Sequence, residues 1–174
     1  MIFEETSIPG VYIILIEKKE DDRGFFARIW DEKLFREKGL NTNIVQCSIS
    51  SNKKKGTWRG FHVQHSPYEE AKIIRCTQGR MFDVVLDLRK NSPTFKKWFS
   101  IEISAENHKM LYVAEGCANG FQTLEDNTEA VYEITEVFKP ESSGGVRWDD
   151  PTLGIKLPLE ISKISKRDTS WDFL

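Results

Sequence analysis

The run "WFSIEIS", residues 98–104, gives the clearest indication of the fold class in this sequence. Hydrophobic side chains at Phe99, Ile101 and Ile103 alternate with serine and glutamate. Successive side chains of a β-strand point to opposite faces of the sheet. The run therefore predicts a strand with one hydrophobic face and one polar face.

Nine further runs of β-prone residues recur along the chain, separated by Gly, Pro, Asn and charged residues. They read "GVYIILIE", "FFARIW", "NIVQCSIS", "TWRGFHVQ", "AKIIRCTQG", "MFDVVLDLR", "HKMLYVAEG", "GFQTL" and "EAVYEITEVF". The segment "DEKLFREKG" predicts a helix that Asp31 caps and Gly39 ends. The tail "SKISKRDTSWDFL" is a candidate for a second short helix, and the turn-rich segment before it is expected to wrap the same domain.

About ten short strands and one early helix favour an all-β fold. The expected architecture is a cupin-like double-sheet jelly roll with one or two short helices, forming a single domain over residues 1–174. Such a fold encloses space between its sheets. Polar residues that interrupt an inward-facing strand surface therefore mark a pocket.

The composition is that of an ordinary globular protein, with 39% hydrophobic residues and a net charge of −2. No global positive field is present to attract nucleic acid or an anionic membrane. The longest apolar run, "VYIILI", is too short to span a bilayer, and the N-terminus lacks a signal-peptide pattern. Cys47, Cys76 and Cys117 are odd in number and widely spaced, which predicts reduced, buried thiols and a cytoplasmic protein.

Three of the predicted strands carry side chains that could take part in catalysis. Period-two geometry places His62 and Gln64 on one face of their strand, Lys72 at the start of the next strand, and Tyr132 with Ile134 on one face of a strand further along. A histidine, a lysine and a tyrosine around one cavity could act as general base, cationic stabiliser and general acid. That set suits proton abstraction beside a carbonyl group.

Each of these residues also has a structural interpretation that spacing alone leaves open. A histidine in a strand is commonly a hydrogen-bonded structural residue, and a tyrosine is commonly part of the core. A metal site is a rival chemical interpretation, because "GFHVQH" and "AEGCAN" resemble the two metal-binding motifs of cupins. Gln64 and Asn119 replace two histidines of those motifs, and amide oxygens are weak ligands for transition metals, so the sequence predicts no metal site.

Several segments resemble the dTDP-4-dehydrorhamnose 3,5-epimerase family. They are "DDRGFFARIW", "KGTWRGFHVQHSPYEEAK", "FDVVLDLRKNSPTF", "SAEN", "MLYVAEGCANGFQTLEDNTEAVYEI" and "GGVRWDDP", which occur in the family's order from about residue 10 to 168. The resemblance implies a cofactor-free jelly-roll homodimer. Its substrate would be a dTDP-4-keto-6-deoxyhexose, epimerised at carbons 3 and 5.

The resemblance also implies roles in the proton transfer. His62 would be the base, and Asp168 would pair with it and make it more basic, because a carboxylate stabilises an imidazolium. Lys72 would lie beside the keto oxygen, where the enolate develops negative charge. Tyr132 would return a proton from the opposite face, as inversion requires.

By the same resemblance, the remaining residues bind substrate. Arg59 and Arg23 would hold the diphosphate, with Arg23 supplied by the partner subunit. Gln46 belongs to the same pocket, and Phe26 beside Arg23 could contact the sugar or the base. Ser48 and Asn119 would lie in this pocket too.

The sequence departs from the family pattern at two places in the expected pocket. Asn119 in "CANGFQ" replaces a histidine, and Cys47 and Ser48 replace Asp and Asn. An asparagine donates hydrogen bonds but carries no charge and relays no proton. Epimerisation at carbon 3 or carbon 5 alone, and a non-catalytic nucleotide-sugar-binding jelly roll, therefore stay open as alternatives.

Overall fold

The computed structural model describes all 174 residues of the chain, which form thirteen strands and two short α-helices. The strands are β1 (Ile2–Glu5), β2 (Tyr12–Leu15), β3 (Lys19–Asp21), β4 (Gly24–Phe26), β5 (Gln46–Asn52), β6 (Trp58–Gln64), β7 (Lys72–Gln78), β8 (Arg80–Asp87), β9 (Trp98–Ser104), β10 (Met110–Val113), β11 (Cys117–Thr123), β12 (Thr128–Ile134) and β13 (Ser143–Gly145). The helices are α1 (Glu32–Glu37) and α2 (Lys166–Thr169), with a 3₁₀ turn at Pro140–Ser142.

Two antiparallel sheets form the body of the molecule. The first has six strands in the order β1-β2-β10-β7-β12-β5, and the second has five in the order β13-β6-β11-β8-β9. Strands distant in sequence are neighbours in both sheets, as expected for a jelly roll, so the predicted fold class is confirmed. The strands β3 and β4 form a separate hairpin.

Hydrophobic side chains pack in two layers. The larger cluster includes Ile103 of the alternating run together with Ile74, Met81, Val85 and Phe121. A smaller cluster lies around Trp58 and Phe61 of β6, and the residues packed on it come largely from the segment 146–164. The turn-rich segment after residue 139 therefore wraps the five-stranded sheet, as the sequence predicted.

Most predicted elements are present, with differences at the ends. Asp31 caps α1 by accepting a hydrogen bond from the Leu34 backbone N–H at 3.3 Å, and Gly39 follows the helix with a φ of +72°. Of the run "FFARIW", only Phe25 and Phe26 lie in a strand, β4. The strands β1, β3 and β13 were not predicted.

The cysteine prediction is wrong in one detail. Cys76 and Cys117 are buried, whereas Cys47 is exposed, and all three are free thiols. Alternation along β5 explains the exposure of Cys47, because its neighbours Gln46 and Ser48 take the inward positions. No helix is long and apolar enough to cross a membrane.

The motif "DLRKNSPTF" builds the turn between β8 and β9. Buried Asp87 accepts hydrogen bonds from Arg89 Nε at 2.8 Å, Ser92 Oγ at 2.6 Å and Thr94 Oγ1 at 2.6 Å. Burial acts to raise the pKa of Asp87, but these bonds outweigh it and hold the pKa well below its usual value. This motif therefore has a structural role at a distance from the cleft described below.

Candidate active site

A cleft of about 360 Å³ opens between the two sheets. The six-stranded sheet supplies one wall through β5, β7 and β12, and the five-stranded sheet supplies the other through β6 and β11. The polar lining residues are Gln46, Ser48, Ser50, Arg59, His62, Gln64, Glu70, Lys72, Asn119, Tyr132, Ser143 and Arg167. Most of the sequence-predicted site residues therefore meet in one place.

A β-bulge in β6 shapes the floor of the cleft. The strand pairing joins Asn119 to His62 and Phe121 to Arg59, so three steps along β6 match two steps along β11. Residues three apart on a regular strand point to opposite faces, but both Arg59 and His62 line the cleft. A Cβ atom at Gly60, where φ is +136°, would lie 2.4 Å from the Gly120 Cα atom, so the bulge needs glycine.

His62 and Asp168 form a close pair at the cleft. The distance between His62 Nε2 and Asp168 Oδ1 is 2.6 Å, with the histidine side chain 40% exposed and the aspartate side chain 4% exposed. The contact favours the tautomer with a proton on Nε2, because the carboxylate accepts it. Nδ1 is left without a hydrogen-bond partner and is available to take up a proton.

The C-terminal tail positions Asp168 in the third residue of α2. Ser165 caps this helix by accepting a hydrogen bond from the Asp168 N–H at 3.0 Å. The bulge N–H of Gly60 donates to Asp168 Oδ2 at 3.4 Å. Burial acts to raise the pKa of Asp168, but its bonds to His62 and to these neighbours lower it overall, so the group is ionised at neutral pH.

Tyr132 and Lys72 face His62 from the opposite sheet. Burial raises the pKa of Tyr132 far above its ordinary value, nearby Asp83 raises it further, and Arg59 opposes them. The phenol is therefore protonated at neutral pH. Lys72 Nζ lies 2.8 Å from Glu70 Oε1, and both side chains are nearly buried.

Two arginines lie at the mouth of the cleft. Arg59 Nε donates to Asn52 Oδ1 at 2.6 Å, and its two terminal nitrogens make no hydrogen bond within the chain. Arg167 Nη2 donates to Ser143 Oγ at 2.6 Å, and its guanidinium lies over the ring of Trp171. The mouth of the cleft is thus positively charged and suited to an anion.

Asn119 contacts a carboxylate beneath the floor of the cleft. Its amide nitrogen donates to Asp83 Oδ1 at 2.5 Å and to the Val84 carbonyl at 3.3 Å. Asp83 is fully buried, and its second oxygen has no hydrogen-bond partner. Burial raises the pKa of Asp83 to about 8, while Asn119 and Lys72 act in the opposite direction.

Two predicted site residues lie outside the cleft of their own chain. Arg23 is at the tip of the β3–β4 hairpin, exposed and paired with Asp21 at 2.6 Å. Phe26 is 68% exposed and lines a different groove, near α1. One chain alone therefore does not bring these two residues to His62.

The Gln64 side chain is engaged entirely by backbone groups. Its amide nitrogen donates to the carbonyls of Tyr68 and Val137, and its oxygen accepts a hydrogen bond from the Lys139 N–H at 2.6 Å. His65 and His108 are absent from the cleft lining. No group of three His, Cys, Asp or Glu side chains is arranged to hold a metal ion.

Sequence reasoning missed three ionisable residues at this site, Glu70, Asp83 and Arg167. Glu70 lies two positions before Lys72, so strand-like spacing was a usable signal for their pairing. Asp83 is the single acid within the apolar run "MFDVVL", and that interruption was a second signal. Arg167 had no separate signal, because it reaches the cleft only through the docking of the tail.

Comparison with known proteins identifies the relatives of this chain. The family model described as dTDP-4-dehydrorhamnose 3,5-epimerase matches residues 5–174. The dTDP-4-dehydrorhamnose 3,5-epimerase of Sinorhizobium fredii is 40% identical over 171 residues, which cover 98% of this chain and 88% of that protein. The similarity thus extends over nearly the whole length of both.

Solved structures match equally well. The dTDP-4-dehydrorhamnose 3,5-epimerase of Bacillus anthracis, crystallised with TDP and PPi bound, has a TM-score of 0.95 and 35% identity and covers 99% of each chain. The Legionella pneumophila dTDP-6-deoxy-D-glucose-3,5-epimerase in complex with dTDP-4-keto-L-rhamnose has a TM-score of 0.92 and 31% identity, covering 99% of this chain and 92% of the other. Both share the double-sheet architecture.

Proposed function

This chain belongs to the dTDP-4-dehydrorhamnose 3,5-epimerase family, and from that premise we propose that its cleft epimerises a dTDP-4-keto-6-deoxyhexose at carbons 3 and 5. The observation that carries the proposal is the 2.6 Å contact between His62 and Asp168 at the cleft. The ionised carboxylate orients the imidazole and stabilises the positive charge that it gains on taking a proton.

The two walls of the cleft suit the two halves of an inversion. His62 removes a proton from the carbon beside the ketone, and the electron pair of that C–H bond becomes the enolate. Lys72 stabilises the enolate oxygen by its positive charge. Tyr132, protonated and on the opposite sheet, returns a proton to the other face of the ring. A hexose between the sheets therefore meets the base on one side and the acid on the other.

The mouth of the cleft suits the diphosphate. Asn52 holds Arg59 through Nε, which leaves its terminal nitrogens free for phosphate oxygens. Gln46 and Ser48 line the same wall as Tyr132 and offer polar contacts to the nucleotide sugar. The relatives crystallised with TDP and with dTDP-4-keto-L-rhamnose support a dTDP-linked substrate.

A homodimer would complete the site. The β3–β4 hairpin presents Arg23 together with Phe25 and Phe26, which are 45% and 68% exposed. A hairpin with exposed aromatic residues is suited to pack on a second copy. We expect Arg23 of the partner subunit to reach the diphosphate and Phe26 of the partner subunit to contact the sugar or base.

Subunit mixing tests this arrangement. His62→Ala and Arg23→Ala homodimers are expected to be inactive or weak separately, and to regain activity after subunit exchange. The mixed dimer then contains one site with both residues intact. Arg23 acts within its own chain if mixing restores nothing although mixed dimers are detected by native mass spectrometry.

The proposed reaction is tested by incubation with dTDP-4-keto-6-deoxyglucose in heavy water, followed by NMR. Deuterium is expected at carbons 3 and 5, and His62→Ala is expected to abolish the labelling. His65→Ala is the matched control, because His65 is exposed and does not line the cleft. Label at one carbon alone would favour the single-carbon alternative. Binding of dTDP without any label would indicate a non-catalytic binder.

The single domain, the absence of a cofactor and of nucleic-acid or membrane partners, and the cytoplasmic location stay predictions from the sequence. Each is compatible with the proposed reaction. Proton transfer next to a ketone needs only an acid, a base and charge stabilisation.

A further inference from the structure

The orientation of the Asn119 side chain is fixed from below. Both hydrogens of its amide nitrogen have acceptors, namely Asp83 Oδ1 at 2.5 Å and the Val84 carbonyl at 3.3 Å. Turning the amide over would place its oxygen against the Val84 carbonyl oxygen, which is unfavourable because both groups are acceptors. The amide oxygen is therefore the end that remains for the cleft.

That oxygen has no partner within the chain. Asn119 lines the cleft, yet no donor approaches its side-chain oxygen, and the atom is not enclosed as Asp83 Oδ2 is. A nearly buried acceptor without a donor is costly unless solvent or a ligand supplies one. The cleft therefore presents a fixed acceptor that is complementary to a hydroxyl group.

The position of Asn119 selects which hydroxyl it meets. Asn119 and His62 are directly paired across β11 and β6, so the acceptor lies next to the proposed base. A 4-keto-6-deoxyhexose joined through carbon 1 keeps hydroxyl groups only on carbons 2 and 3. Of these two carbons, only carbon 3 would be deprotonated by His62, so its hydroxyl is nearer to the pair.

We infer that Asn119 is a specificity-determining residue: its side-chain oxygen, held toward the cleft by Asp83, accepts a hydrogen bond from the hydroxyl on carbon 3 of the hexose. The inference rests on the proposed function for the identity of the sugar. Asp83 acts through Asn119 and is a positioning residue. The pair selects among 4-keto sugars by whether carbon 3 carries a donor.

The test compares dTDP-4-keto-6-deoxyglucose with its 3-deoxy and 2-deoxy analogues by deuterium exchange at carbon 5. In the wild type, loss of the carbon 3 hydroxyl is expected to lower kcat/KM about fivefold, the ratio typical of one hydrogen bond. Asn119→Leu is expected to bring this ratio close to one. The loss with the full substrate is expected mainly in KM, since the bond is present before and during proton transfer.

Gln122→Leu is the matched control, because Gln122 is a buried amide on the same strand that bonds Leu159 away from the cleft. It is expected to reduce stability without changing the 3-deoxy ratio. Asp83→Leu is expected to bring the ratio of kcat/KM between the full and the 3-deoxy sugar close to one, although Asn119 is intact. Asp83→Asn is expected to keep the wild-type ratio, because an amide oxygen at residue 83 still accepts from Asn119.

Binding of the same three sugars, measured by calorimetry, separates this proposal from the reaction itself. If the wild type exchanges no deuterium, the proposed function fails, and the affinity ratios still decide the role of Asn119. If Asn119→Leu folds and discriminates against the 3-deoxy sugar as the wild type does, the inference is overturned. It is also overturned if only the 2-deoxy ratio changes.

Discussion

Asp168 and Asp83 are both buried carboxylic acids close to the same cleft, yet at neutral pH Asp168 is ionised and Asp83 is protonated. Asp168, on the docked tail, contacts His62 and the Gly60 N–H, and its pKa is lowered. Asp83, on the central strand β8, has Asn119 as its one donor, and its pKa is raised to about 8. Burial is common to both residues, so burial alone does not determine their charge.

The difference lies in the partners. A cationic or multiple-donor environment compensates the lost hydration of a carboxylate, as His62 and the Gly60 N–H do for Asp168. Asp83 has one neutral donor and an unpaired oxygen, so its neutral form is favoured. The molecule thus keeps an anion where a base needs support, and a neutral acid where an amide needs orientation.

The largest expected effect on kcat comes from removing the charge of Asp168. Asp168→Asn removes the charge that supports the imidazolium, so we expect a fall in kcat of about a hundredfold or more in the deuterium-exchange assay. Asp83→Asn, which leaves a neutral group neutral, is expected to change kcat by less than about threefold. Asp172→Asn is the exposed control on the same tail. Equal losses in the two buried variants would contradict the comparison.

The free energy of unfolding is expected to depend on pH in opposite ways through Asp83 and Asp168. Because the pKa of Asp83 is raised to about 8, the folded protein holds a proton that the unfolded chain releases above about pH 4. The contribution of Asp83 to the free energy of unfolding therefore falls as pH rises from about 4 to 8, by up to about 1.4 kcal/mol per pH unit. Asp168 has the opposite sign: its contribution is present above its ordinary pKa and is lost as pH falls below it.

Urea unfolding at pH 5, 6, 7 and 8 measures this difference. The wild type is expected to lose stability relative to Asp83→Asn with each step upward in pH. Parallel curves for the wild type and Asp83→Asn would show that Asp83 is ionised throughout.

The smallest expected effect concerns Glu70, a third nearly buried carboxylate with a single cationic partner. Glu70→Gln keeps an acceptor near Lys72 but removes the negative charge, which weakens the contact that holds the ammonium in place. We expect kcat to fall about tenfold in the deuterium-exchange assay, because Lys72 is held less firmly beside the enolate oxygen that it is proposed to stabilise. Glu69→Gln is the exposed neighbour for comparison. An unchanged kcat would show that Glu70 is not needed to hold Lys72 in place for the reaction.

The alternation of apolar and polar residues was enough to predict most of the fold from the sequence. The runs around Ile74, Ile103 and Tyr132 have one apolar face each, and the strands follow them closely. The strands β1, β3 and β13 lack that signal, because "IFEE", "KED" and "SGG" contain little to bury. Of the three, only β13 pairs with a strand distant in the chain, β6, whereas β1 pairs with β2 and β3 with β4.

The candidate site was readable only in part. Period-two spacing assigned His62, Lys72 and Tyr132 to particular strand faces, and the structure places all three in the cleft lining. Asp168 lies 106 positions from His62, so only the family resemblance could bring it to the histidine. Spacing alone would have put Arg59 on the far face, since nothing in "WRGFH" states that Gly60 interrupts the ladder.

That interruption sets a length as well as a direction. The main chain between Arg59 and His62 fixes the separation of their Cα atoms, and so the approximate span between a guanidinium suited to phosphate and the proposed base. The strand therefore sets the spacing between the part of the cleft suited to an anion and the part that holds the proposed base. On the proposed function, we expect a substrate with a linkage one atom longer to fit this spacing less well than one altered around the sugar ring.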